Sequence, residues 1–165
     1  MTRLASVLIA AAVAGCTTEG VTDPPALREI TPDGLRSTLV VEPAEVPQHG
    51  SFTVRLTVSN PGTESVEVVT AHGCLAIPHV FRNGEPIPLR GSWWACTAAI
   101  TRHVFAPGES RTITWNMSAE LYAREQGDPD GAPAPKGSYQ VVAEFDTYAE
   151  GSNTKPRVVH PLTIH

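Results

Sequence analysis

Residues 51–60 read SFTVRLTVSN. Phe52, Val54, Leu56 and Val58 alternate with Thr53, Arg55, Thr57 and Ser59. Successive side chains of a strand point to opposite faces, so this period of two predicts a half-buried antiparallel strand. Its surroundings repeat the pattern. Asn60-Pro61-Gly62-Thr63 is turn chemistry, and residues 66–70 follow as the next strand. Residues 77–81 and 87–89 flank Asn83-Gly84, a two-residue hairpin signal in which both positions tolerate positive φ. Pro86 and Pro88 place the return strand at an edge, because proline cannot donate to a ladder.

Residues 100–105 and 111–116 flank Ala106-Pro107-Gly108-Glu109, the Pro-Gly order that a type II turn wants. Ile113 and Trp115 share one face of the second strand. Tyr139, Val141, Ala143 and Phe145 alternate inward, and residues 158–164 form a final strand in which Pro161 marks an edge or a bulge. Residues 39–41 are a further short strand, with either the final strand or a neighbour as partner. Seven to nine short strands, with turn signals every eight to twelve residues, predict an all-β antiparallel β-sandwich. Only residues 117–125, MSAELYARE, leave room for a short helix, capped by Ser118 with Leu121 and Tyr122 facing in. Residues 127–137, GDPDGAPAPKG, read as an exposed irregular loop.

Composition agrees. A length of 165 residues allows one domain with tails, and 15 scattered prolines exclude a helical bundle. Lys and Arg number 12 against 17 Asp and Glu, a formal net charge of -5 that argues against a nucleic-acid partner.

The N-terminal stretch reads differently. Arg3 precedes the uncharged run LASVLIAAAVA at residues 4–14. It is too short for a ~30 Å hydrocarbon core but has the length of a signal-peptide apolar region. It ends in Val13-Ala14-Gly15-Cys16, which resembles the lipobox of bacterial lipoproteins. That resemblance implies cleavage before Cys16, lipidation of Cys16, and anchoring to membrane lipid outside the cytoplasm. Thr17 and Thr18 follow without the aspartate that retains lipoproteins at the inner membrane, which implies the outer membrane, facing the periplasm, in a host with two membranes. Residues 1–15 are thus expected to be the signal peptide, 16–34 a flexible tether and 35–165 the folded domain.

Cys74 and Cys96 remain as an even pair in an exported chain, so a disulfide is the expectation. The alternative is a metal site of His72 and Cys74, on one strand face, with Cys96 or His103; it lacks the four-ligand pattern of structural zinc. No G-x-S-x-G, H-E-x-x-H or glycine-rich phosphate loop occurs, so no catalytic residue, metal or cofactor is expected and the chain is read as a non-enzyme. The six histidines form no recognisable pair, and each, His160 included, is expected at the surface or an edge. Asp128 and Asp130 read as a solvated turn, since two carboxylates fall short of what calcium needs. Trp93-Trp94 is unusual: adjacent strand residues face opposite ways, so one indole enters the core while the other is available as a partner contact.

The order of elements resembles the BsuPI family, the intracellular proteinase inhibitor domain. The matching stretches are FTVRLTVSNPGTESVEV at 52–68, VFRNGEPI at 80–87, FAPGESRTITWN at 105–116 and PKGSYQVVAEF at 135–145. The resemblance implies an immunoglobulin-like sandwich and a protease as partner. The lipobox and the Cys74 and Cys96 pair depart from the family, and no inhibitory loop matches residue by residue. The expected function is a membrane-anchored binding module that contacts a serine protease or another envelope protein through residues 90–95 and 117–137. The second expectation is an accessory envelope lipoprotein with no protease target.

Overall fold

The central strand of residues 51–60 forms as its alternation predicts. In the computed structural model, which describes residues 28–30, 34–92, 95–123, 131–145, 147 and 155–165, Phe52, Val54, Leu56 and Val58 are all buried. The strands are β1 (Arg28–Ile30), β2 (Arg36–Glu42), β3 (Glu45–Val46), β4 (Ser51–Ser59), β5 (Val66–Thr70) and β6 (Ile77–Arg82). They continue with β7 (Glu85–Pro86), β8 (Thr101–Phe105), β9 (Ser110–Ser118), β10 (Gly137–Glu144) and β11 (Arg157–Ile164). One sheet has the order β1-β2-β4-β9, a second β3-β11-β10-β6-β7, and β5 pairs with β8. Every pairing is antiparallel except β3 with β11. This is an all-β, immunoglobulin-like sandwich.

The inner faces of the sheets meet in one hydrophobic cluster. Leu39, Val41, Val54, Leu56 and Trp115 come from the first sheet, and Val80, Tyr139, Val141, Val158 and Leu162 from the second. Val68 and Phe105 bring the β5–β8 pair into the same core. The Tyr139 hydroxyl donates to the carbonyl of Pro135, four residues upstream, the corner contact of immunoglobulin-like sandwiches. Burial raises the Tyr139 pKa, partly offset by the Arg82 charge; the Arg82 guanidinium lies 5.8 Å from the ring centroid.

Turns behave as their residues require. Asn83 and Gly84 take φ of 53° and 84°, the paired positive values of a two-residue hairpin, and β7 is the edge strand that Pro86 demands. Gly108 takes φ of 73° and the Glu109 N–H donates to the Ala106 carbonyl at 3.0 Å. Pro161 sits where β11 pairs with Gln140 of β10, while β3 reaches only Thr163 and Ile164 on the other side.

Asn60 ties two turns together and is 1 % exposed. Its amide nitrogen donates to the carbonyls of Glu64 (2.8 Å) and Phe105 (3.0 Å), and its side-chain oxygen accepts from the Gly62 N–H (2.9 Å). Its backbone pairs with Glu109 and Gly108 across the second turn. Asn60→Ala is expected to destabilise by about 2–4 kcal/mol, because it leaves buried carbonyls without donors. Denaturant unfolding checks this, and Asn60→Asp should not restore the amide's donated bonds.

Ser37 presents the opposite case. It is fully buried on the inward face of β2, and its hydroxyl finds no partner among the described residues. Ser37→Ala is therefore expected to stabilise by about 1 kcal/mol, read as a higher unfolding midpoint at unchanged denaturant sensitivity.

Three expectations are corrected. Met117 and Ser118 do not start a helix; they extend β9 opposite Phe52 and Ser51. Glu120 and Leu121 bridge Pro133 and Leu89, so tertiary pairing overrides local helical propensity through the described part of that stretch. The backbone of Arg28–Ile30 lies in the expected tether but pairs with Arg36–Thr38 of β2, so the folded unit reaches further toward the N-terminus than Leu35. His160 is not at the surface: it is 3 % exposed on the inward face of β11, with its Nδ1 2.7 Å from the Pro161 carbonyl. Of the two partners open to residues 39–41, the neighbouring strand β4 is the one they take.

Candidate functional site

The described parts of the two segments, residues 90–92 with 117–122 and 131–134, meet at one place on the sandwich. The Ser118 N–H donates to the Arg90 carbonyl (3.0 Å), and the Arg90 N–H donates to the Glu120 carbonyl (2.8 Å). Tyr122 donates to Pro88, and Leu121 exchanges bonds with Ala132 and Gly131. Ala134 donates to Ala119, and Ala119 to Gly50. Gln48 adds a side-chain bond to the Ala134 carbonyl at 2.8 Å. Four chain segments are thus joined through their backbones.

Gly91 allows a close backbone approach to β9. It has φ of 86°, and a Cβ there would lie 2.3 Å from the Asn116 carbonyl oxygen. Only glycine satisfies both constraints. The Glu120 carboxylate accepts from Arg90 Nε (3.0 Å) and lies 3.1 Å from His49 Nδ1. Such exposed pairs contribute little energy, so the backbone bonds carry the order and the carboxylate orients Arg90. A groove beside this platform is lined by Glu42, Phe52, Arg90, Gly91, Asn116 and Met117.

Trp93 and Trp94, the candidate partner contacts, lie outside the described residues, as do Cys16, Asp128 and Asp130. Residues 90–92 of the first segment and both described flanks of the second, 117–122 and 131–134, are anchored on the platform. Sequence reasoning marked the segments by their composition and missed what joins them, because a backbone bond between Arg90 and Ser118 leaves no trace in residue type.

The second constellation surrounds the cysteines. Cys74 and Cys96 form a disulfide with a Cα–Cα distance of 5.5 Å. The Gly73 N–H donates to the Thr97 carbonyl at 2.9 Å, and the Cys74 N–H donates to His72 Nδ1 at 3.3 Å. Fully buried Thr70 donates to the His72 carbonyl, and its hydroxyl lies 3.1 Å from His103 Nε2. Burial, then the charges of Arg111 and His72, hold the His103 pKa below its usual 6.5. The folded state therefore binds fewer protons at His103 than the unfolded state just below pH 6.5. Its contribution to stability is present above pH 6.5 and is lost as the pH falls through the folded value. His103→Gln is expected to flatten the decline in unfolding free energy on acidification from pH 6.5, measured by denaturant titration at several pH values.

No protein-family model and no curated protein matches the chain. Among solved structures, a β-glucosidase of Erythrobacter marinus is similar at TM-score 0.46 and 13 % identity over 79 % of this chain. A Listeria innocua β-glucosidase in complex with glucose follows at TM-score 0.44 and 13 % identity over 79 %. The chain covers 15 % and 16 % of those two enzymes. The CARDB domain of the PF1109 protein of Pyrococcus furiosus aligns over 78 % of this chain and 91 % of its own, at TM-score 0.39 and 15 % identity. The class defined by the strands themselves is a disulfide-bonded, immunoglobulin-like β-sandwich.

Proposed function

We propose that this chain is a lipid-anchored, extracytoplasmic binding module of BsuPI type, which presents residues 90–95 and 117–137 to the cleft of a serine protease. The observation that carries this reading is the platform of backbone hydrogen bonds joining residues 88–92, 117–122 and 131–134. A contact loop held at both flanks loses little conformational entropy on binding, which is what a rigid inhibitor needs. The lipobox at residues 13–16 supports anchoring through Cys16, and the Cys74–Cys96 disulfide suits an oxidising compartment.

Fractionation of cells expressing the chain tests the anchoring. The wild-type chain should be found in the membrane fraction with an acylated Cys16 at its N-terminus, and Cys16→Ser should lose the acyl mass. An unmodified Cys16 in the mature wild-type chain contradicts the anchor. Alanine at Trp93 or Trp94 assigns the contact face: the partner-contacting indole is the one whose loss weakens inhibition without lowering stability.

A further inference from the structure

The two cysteines are held together by more than their own bond. Gly73 and Thr97 are joined by a backbone hydrogen bond, and a Cβ on Gly73 would lie 2.1 Å from the Thr97 hydroxyl oxygen. The chain segments carrying Cys74 and Cys96 are therefore pressed together one residue from each sulfur. The His72 ring is turned to the same point by the bond between its Nδ1 and the Cys74 N–H. Thr70, buried beneath, fixes the His72 carbonyl. One ring nitrogen of His72 and both sulfurs consequently lie within 4.8 Å of one another, and all three residues are half-buried.

That donor set has a chemistry of its own. Metal–sulfur bonds of about 2.3 Å and metal–nitrogen bonds of about 2.0–2.1 Å place tetrahedral donors roughly 3.3–3.8 Å apart. Opening the S–S bond frees the two sulfurs to separate toward that spacing, with the His72 ring nitrogen already beside them. Two thiolates and an imidazole suit thiophilic d10 cations.

We propose that the Cys74–Cys96 pair is a redox-gated metal site, closed as the disulfide and, once reduced, a His72–Cys74–Cys96 site for a thiophilic d10 cation, Zn2+ or Cu+. A dithiol reductant opens it. One of its thiolates attacks a protein sulfur and the S–S bond breaks; its second thiol resolves the mixed disulfide. The reductant leaves as its own disulfide, having supplied two electrons and two protons to Cys74 and Cys96. Metal binding then releases both thiol protons, and His72 binds as the neutral imidazole.

Cobalt titration of the full chain tests this. The chain is reduced with a phosphine under anaerobic conditions and titrated with Co2+. A sulfur-to-cobalt charge-transfer band should grow to one metal per chain and vanish on addition of Zn2+. The oxidised chain and Cys74→Ser/Cys96→Ser should show no band. His72→Ala should weaken binding by at least the ~10–100-fold lost when a group that only supports a ligand is removed, since it takes away a ligand itself. A reduced chain that keeps its β circular dichroism and gives no band overturns the proposal, as does equal binding by the oxidised chain. If reduction removes the β signal, Zn2+ must restore it; failure to do so overturns the proposal equally. Unchanged affinity in His72→Ala removes His72 from the site.

Discussion

Trp115→Ala is expected to lower the unfolding free energy by about 3–5 kcal/mol, the range for truncating a buried tryptophan or phenylalanine. Trp115 lies in β9 opposite Val54 of β4, is 2 % exposed, and shares its cluster with Leu39, Leu56 and Val141. Guanidinium unfolding followed by circular dichroism measures the loss. Stability is only about 5–15 kcal/mol for a domain of ordinary size, so the variant should lose a large share of it and unfold at a markedly lower denaturant concentration. A loss below about 1 kcal/mol would place Trp115 outside the core and break the pairing of the two sheets as described.

The second large effect concerns the disulfide. Cys74→Ser/Cys96→Ser is expected to cost about 3 kcal/mol, because the bond closes a loop spanning 22 residues of sequence separation. That loop contains β6, the Asn83-Gly84 hairpin and β7. Freed of the bond, the segments near residues 71–76 and 95–100 should open first, since few strand bonds hold them, while β4 and β10 stay protected. Hydrogen exchange of the oxidised and the substituted chain separates the two effects. Uniform acceleration across β4, β9 and β10 would contradict a local role for the bond.

The strands that sequence reveals are those whose alternation reports a buried face. Phe52 to Val58 in β4 and Tyr139 to Phe145 along β10 and its end are buried at the positions their periodicity marks. The turns at Asn83-Gly84 and Pro107-Gly108 were readable because positive φ restricts residue type. The missed strands are the ones with no pattern to show. Glu45–Val46 and Arg28–Ile30 have two and three residues, too few for any period, and exist because a neighbouring strand offers a ladder. Residues 117–123 misled for a related reason: their helical composition yields to backbone bonds from Gly50, Arg90 and Ala132, partners far away in sequence. Residue type alone puts His160 at the surface or an edge, whereas the alternation of Val158, Leu162 and Ile164 puts it inward. Of the candidate site, the cysteine pair was legible from parity and compartment. The platform joining residues 88–92, 117–122 and 131–134 was not, since its bonds run between main-chain atoms common to all residues.

A titration of subtilisin with the purified chain, following residual protease activity, tests the proposed function most directly. The account predicts a fall to an end point at one chain per protease, with the chain recovered uncut. Undiminished activity at excess chain, or cleavage of the chain as an ordinary substrate, would contradict it; the first of these, with the chain intact, would leave the sandwich in place and favour an accessory role in the envelope.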